Sequence, residues 1–480
     1  MGELGCSGRG NPVKLGETWI HPGGELVQPV SFVISQTDES LTTHSGLALV
    51  GQMLKRTDLA KRLDAIPLQG RPRPEITHGE VAAAMIGLLC LGKPDYEAIE
   101  AFRDDPFFGY ALGLETVPSA ATVRQRLNQL RDLCSAVIRE ESADLIARHA
   151  PVLSPCLQVA DGRCGAWLPL DIDVSPFDNS NTKKEGVSRT YKKVDGYAPI
   201  FAYVGQEGYL LNCELREGKQ HSEKGFPAFL TQTLKLARRV TDEKLLVRLD
   251  AAHDDIETVR ICKGTPKVDY LIARNRRNES VEMWLHEAEQ VGHCETPREG
   301  KEVYRGDTLW DRDDYTGRVV FEVIRRTIDK KGQELLIPEV EVHTWWTSLE
   351  AEPDQVIELY HQHGTSEQFH SELKTDMDLE RLPSGKFGTN ALVLWLGMMA
   401  YNLLRLCGQT ALKEDRHLPP EQRGPLRRPA SRRRLRSVIL DLMYQAARLV
   451  YHGRRWGLSF ARHNRWFPVW HQVHATLAGA

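Results

Sequence analysis

The sequence predicts an α/β protein. Its α/β core is interrupted by a β-rich block and flanked by an N-terminal helical region and a basic, helical C-terminal region. Three observations predict it. Strand runs and a helical stretch are mixed within residues 157–280. Strand runs alone fill 300–348. Helical periodicity dominates from 41 to 130 and returns from about 354. Size and composition agree: a 480-residue chain suggests about three domains. A chain that is 41% hydrophobic and 26% charged can bury a large core.

Residues 1–40 are rich in Gly and Pro and lack period, so they read as a flexible leader. Residues 41–150 read as a helical region. "THGE" at Thr77–Glu80 fits a capping box ahead of the apolar run Val81–Leu91. Ser119 offers a second cap, for a helix carrying Arg124 and Arg126. That helix suits a helix-turn-helix or an ordinary surface equally. The first core segment covers 151–290. In "LPLDIDVS", Leu170, Ile172 and Val174 alternate with Asp171, Asp173 and Ser175. "APIFAYVG" and "YLLNCELR" flank "QEG" and predict a hairpin. A helix is expected over 221–239, with Phe226, Phe229, Leu230 and Leu234 on its apolar side. "KLLVRLD" and "VDYLIAR" are continuous apolar runs, the look of buried parallel strands. Residues 291–350 form the β-rich insertion. Residues 351–407 return to the core as helix, and 408–480 form the basic C-terminal region.

Several classes are excluded. The longest apolar run, Ala391–Leu404, is too short to span a bilayer and contains Asn402. No charged segment followed by an apolar one opens the chain, so secretion is not indicated. The nine cysteines are scattered singly. That argues against a zinc ribbon or a disulfide scaffold and for reduced thiols. The net charge of −3 hides an asymmetry. Residues 411–470 hold 14 Lys+Arg and 4 Asp+Glu, a balance of +10, so the remainder carries −13. Such a block suits a polyanion partner or a solvated Arg-rich loop.

Asp173 lies in the first strand of the core and Asp250 ends a buried strand, where ligands of α/β sheets collect. Asp is also a good turn residue, so Asp250 has a purely structural explanation too. The segment "YHQHGTSEQFHSELK" is more pointed. On a helix turning about 100° per residue, Tyr360, His363, Glu367 and Lys374 share an arc of about 60°. Phe369 and Leu373 fall opposite and would be buried. A break at Gly364 and Thr365 would leave only Glu367 and Lys374 together. Trp345 and Trp346, at the end of the insertion, suit sheet packing better than base stacking. His361, His363 and His370 have no partner motif that would suggest zinc.

That segment resembles the Y-x2-R-x3-E-x6-K signature of DDE transposases from bacterial insertion sequences. "LERLPSGKFGTNALVLWLGMMAYNLLRL" is similar to the stretch after the signature in one branch of the family. "LDIDVS", "VRLDAAHDD", "YKKVDGYAPIFAY" and "REGKQHSEKG" resemble its Asp strands and the elements between them. The resemblance runs from about Leu41 to the C-terminus. It implies a ribonuclease-H-like (RNase-H-like) catalytic fold with a β-rich insertion before the Glu helix. It also implies two Mg²⁺ or Mn²⁺ ions per active site, held by Asp173, Asp250 and Glu367. Asp171 competes for the first position; Ser175, matching the family's Asp-x-Ser/Thr pattern, favours Asp173. Tyr360 and Lys374 match positions that contact DNA ends. The family Arg is His363 here, which puts that phosphate contact in question, and the family often has His where Ala198 stands.

Carried over, the resemblance implies a transposase that cuts transposon ends and joins them to target DNA. Its partners are double-stranded DNA and a second copy on paired ends, in the bacterial cytoplasm near the nucleoid. Hard divalent cations prefer oxygen ligands, and a pair of them can stabilise both oxygens of a phosphoryl displacement. The expected backbone contacts are Arg427, Arg428, Arg432, Arg433, Arg434 and Arg436. The alternatives are a structure-specific nuclease on the same core and a catalytically silent DNA-binding derivative.

Overall fold

The computed structural model describes residues 13–15, 18–20, 32–68, 74–131, 133–156, 166–425 and 430–479. The chain divides into two units, Met1–Ser40 and Leu41–Ala480. In the first, Val13–Leu15 pairs antiparallel with Thr18–Ile20. The rest of the expected leader up to residue 31 lies outside the described residues.

The second unit is built on a nine-stranded sheet. Its strands are β1 (Trp167–Val174), β2 (Ile200–Val204), β3 (Tyr209–Glu214), β4 (Lys244–Leu249) and β5 (Val268–Ala273). The insertion supplies β6 (His293–Arg298), β7 (Lys301–Arg312), β8 (Tyr315–Ile328) and β9 (Glu334–Thr347). The spatial order is β6-β7-β8-β9-β5-β4-β1-β2-β3. β1, β4 and β5 run parallel; β2 and β3 are the expected antiparallel hairpin. β9 pairs antiparallel with β5, so the β-rich insertion extends the core sheet from its edge.

The alternation expected along β1 sets the direction of its side chains but does not leave one face to solvent. Every residue from Trp167 to Asp171 is buried, as are Ile172 and Val174. β1 lies in the middle of the sheet between β4 and β2, covered on both faces, so neither face is left for solvent. Trp345 and Trp346 are buried, as packing residues should be.

The N-terminal helices form as their caps direct. Thr77 and Glu80 make a complete capping box on His78–Cys90, and Ser119 caps Ala120–Leu130. Each such cap is worth about 1 kcal/mol. Arg126 of the second helix is buried on the Ile76 carbonyl and His78, while Arg124 is exposed and pairs with Glu97. The apolar run near residue 400 sits within one helix of 31 residues, Phe387–His417. This helix is long and apolar enough to cross a membrane, yet its apolar span is wholly buried in protein. It packs on His78–Cys90, Ser135–His149 and β3, and forms the spine of the molecule. Asn402, the polar residue in that run, bonds the backbone of Leu210 in β3 through both amide atoms.

Candidate active site

β1 and β4 are neighbours in parallel register, with Leu249 opposite Ile172. The next residue of each is an aspartate, Asp173 and Asp250. Both therefore project from the same face at the same level, on strands roughly 5 Å apart. Ile172 and Leu249 face the core, so the pleat turns the two carboxylates the other way.

Each of these carboxylates is held by a histidine. Asp173 Oδ2 lies 3.3 Å from His370 Nε2, and the Val174 N–H donates to Oδ1 at 2.7 Å. His370 Nδ1 is 3.2 Å from the Tyr203 hydroxyl. A tyrosine O–H donating to Nδ1 leaves the Nε2 proton for Asp173, so a neutral ring satisfies both contacts. Burial pushes His370 below the ordinary histidine value, against the pull of Asp173. Burial alone would raise Asp173; the His370 hydrogen bond, the charges of His370 and His363 and the Val174 N–H outweigh it and hold the carboxyl below its usual value. Asp250 accepts from the Ala252 N–H and from His253 Nδ1 at 2.8 Å. His253 is fully buried against Phe226.

Glu367 comes from the short helix Ser366–Ser371, which packs on β1. His370 is three residues further along, on the same face, and its bond to Asp173 fixes where that face points. Glu367 is exposed and has no hydrogen bond or ion pair among the described residues. The Tyr191 hydroxyl sits on the β1 backbone next to Asp173. It donates to the Val174 carbonyl at 3.0 Å. Its pKa is raised well above the ordinary value by burial and then by the charges of Asp173, Asp250 and Glu367. None of the three carboxylates pairs with Lys or Arg among the described residues.

Asp171 is different. It is buried and takes two hydrogen bonds from Arg248, at 2.6 and 2.7 Å, and one from His363 Nδ1 at 2.8 Å. Burial favours its neutral form, but Arg248 and His363 prevail and lower its pKa. It is an internal ion pair. His363, expected on a DNA phosphate, is itself buried on Asp171.

The common helical face expected for Tyr360, His363, Glu367 and Lys374 does not form. Pro353–His361 is α-helical, Gln362–Thr365 is 3₁₀, Ser366–Ser371 is α-helical, and Glu372–Asp376 is a π turn. Tighter and wider turns shift the helical phase, so positions counted at 3.6 residues per turn separate. Phe369 and Leu373 are buried as expected. Tyr360 packs on Trp345; burial, then Asp250 and Asp173, push its hydroxyl up to about 12. Lys374 is half-buried, its ammonium 5.7 Å from the Phe177 ring. Burial lowers its pKa, Glu380 opposes this, Lys192 lowers it further and Asp173 opposes it.

The arginine run also departs from expectation. Arg427 and Arg428 lie outside the described residues. Arg432 pairs with Glu372 and stacks on Phe369. Arg433 is buried on Asp441 and Trp466. Arg434 holds Asp376 at 2.8 and 2.9 Å. Three residues expected on DNA thus grip carboxylates of the protein itself, two of them in the π turn. The side chain of Arg436 is exposed, with no hydrogen bond or ion pair among the described residues.

The family model for the Transposase DDE domain, group 1, matches residues 26–480. The chain belongs to the DDE transposase family. No curated protein sequence matches it. Among solved structures, a cryo-EM structure of the piggyBac transposase synaptic complex with hairpin DNA is similar at a TM-score of 0.36 and 10% identity. That match covers 85% of this chain and 83% of the other.

The sequence reading of this transposase missed Tyr191, His253 and His370 as parts of the site. Two of them had a visible signal: His253 lies three residues after Asp250, and His370 three after Glu367. Tyr191 had none, because a loop residue carries no period.

Proposed function

We propose that this protein cuts transposon ends and joins them to target DNA, with Asp173, Asp250 and Glu367 as its catalytic carboxylates. One observation carries the reading: Asp173 and Asp250 follow neighbouring parallel strands in register, and both, with Glu367, act electrostatically on the Tyr191 hydroxyl while forming no ion pair with Lys or Arg among the described residues. The layout supports it. Three antiparallel strands beside two parallel ones, with an acidic residue in the first and one ending the fourth, suit an RNase-H-like core.

The carboxylates also fit divalent metal in kind. They are hard oxygen donors, and three uncompensated negative charges in one place favour a dication such as Mg²⁺ or Mn²⁺. Among the described residues no three acidic, His or Cys side chains already stand at ligand distance. Glu367 is the member with no hydrogen bond or ion pair among the described residues. Bound there, two such ions would supply charge stabilisation of a phosphoryl displacement. The chain's own residues do the rest. His370 and His253 orient Asp173 and Asp250. Lys374, half-buried near the Phe177 ring, would hold a DNA phosphate as a point charge. A homodimer on paired DNA ends, in the bacterial cytoplasm, completes the reading.

The test is an assay with end-labelled terminal repeats and a target plasmid. Joined product, abolished by Glu367→Gln, supports transposition. Cleavage without joining would make the protein a nuclease; a mobility shift without cleavage would make it a silent binder.

A further inference from the structure

The turn between Ser188–Arg189 and Asp195–Tyr197 carries three exposed residues in a row, Tyr191, Lys192 and Lys193. It is a built turn. The Thr190 N–H donates to the Val194 carbonyl, the Lys193 N–H donates to the Thr190 carbonyl, and Lys193 has φ +61°. Tyr191 is anchored at one end only. Its hydroxyl is fixed on the carbonyl beside Asp173, while the residue as a whole is 61% exposed. An exposed aromatic this large is usually turned inward or packed on a neighbour. Here the residue stays largely in solvent beside the strand that carries Asp173, and the Lys192 ammonium lies over its ring, 5.9 Å from the centroid. Lys192 and Asp173 both act electrostatically on Lys374, whose ammonium is 5.7 Å from the Phe177 ring.

An aromatic face beside paired cations is the chemistry that holds one nucleotide: the ring takes a base and the ammonium groups take its phosphate. We infer that the Tyr191–Lys192 turn is a nucleotide clamp, in which Tyr191 stacks on the base next to the scissile phosphate and Lys192, with Lys374, holds the adjoining phosphate. The inference rests on the proposed function. Stacking tolerates any base, so the clamp positions the strand without reading sequence. The hydroxyl serves to aim the ring, and the ring makes the contact.

The test uses the full chain with its terminal-repeat duplex in Ca²⁺, carrying 2-aminopurine at the base next to the cleavage point. Binding to the wild type and to Tyr191→Phe should quench the fluorophore. Tyr191→Ala should abolish the quench, lower the cleavage rate about tenfold or more, and leave thermal stability unchanged. Lys192→Ala should keep the quench, weaken binding, and reduce the slope of log K against log salt by roughly 0.7–0.9. An unaltered quench in Tyr191→Ala, or an unaltered salt slope in Lys192→Ala, overturns the clamp while Glu367-dependent cleavage by the wild type leaves the function standing. Absence of wild-type cleavage and binding overturns both.

Discussion

Asp171 and Asp173 are two residues apart on one strand, and their surroundings give them opposite tasks. Asp173 should be dispensable for folding. Asp173→Asn keeps a hydrogen bond to the Val174 N–H, so urea unfolding should shift by about 1 kcal/mol or less, while cleavage is abolished. Asp171→Asn strips the charge from a buried pair and leaves Arg248 uncompensated. The expected loss is about 3–5 kcal/mol by urea titration. A folded but dead Asp171→Asn beside an active Asp173→Asn would move the site by two residues. The pH dependence follows from the lowered Asp171 pKa. Its stabilising contribution is full above the unfolded carboxylate value of about 3.9 and is lost as pH falls through the lower folded-state value. His363 belongs with Asp171. From sequence, its charge should strengthen DNA binding at low pH and His363→Arg should tighten it. With the ring buried on Asp171, His363→Arg instead forces a second guanidinium beside Arg248. We expect a loss of about 1–3 kcal/mol in stability and an unchanged pH profile of DNA affinity.

At the scale of elements, the sequence was most legible where one rule governs a segment. The apolar runs of β4 and β5, the hairpin β2–β3 and the capping box on His78–Cys90 each follow from a local signal. It was least legible in the signature helix, where a 3₁₀ turn and a π turn interrupt the period. The π turn is gripped by residues about 60 positions away. Arg432 and Arg434, from a segment that reads as a solvated basic run, hold Glu372 and Asp376 of the π turn. Arg405, deep in the 31-residue helix, holds Glu372 from the other side. A carboxylate buried this way needs its cations, so the run acts as a clamp on the helix that carries Glu367. Changing Arg432 and Arg434 together to Ala should therefore lower thermal stability and cleavage but leave the salt slope of DNA binding where it was. Arg436→Ala, at a side chain with no ion pair among the described residues, should reduce that slope by about 0.9 without a stability change. The reverse pattern would return the run to the DNA.

For the molecule as a whole, the fold class was readable but the unity of its sheet was not. The β-rich block carries no sign in its own residues that β9 will pair with β5, because a pairing partner is chosen by the edge it meets. In the proposed site, carboxylates from positions 173, 250 and 367 would repel one another in the absence of cations. A ligand that relieves this repulsion binds the folded chain and not the unfolded one, so it must stabilise the fold. At a concentration 100 times its dissociation constant the gain is about 2.7 kcal/mol. For a unit of this size that amounts to a rise of a few degrees in Tm, roughly 2–4 °C. Mn²⁺ or Mg²⁺ should produce that rise in the wild type without any DNA present, and excess EDTA should reverse it. Glu367→Gln should shrink the rise, and Asp173→Asn with Asp250→Asn should remove it. Ca²⁺ should also raise Tm while supporting little cleavage, since its looser coordination satisfies the charge but fits the site poorly. Equal shifts in the wild type and in the double aspartate variant would mean that the metal binds elsewhere on the acidic surface, and full cleavage in EDTA would end the metal reading.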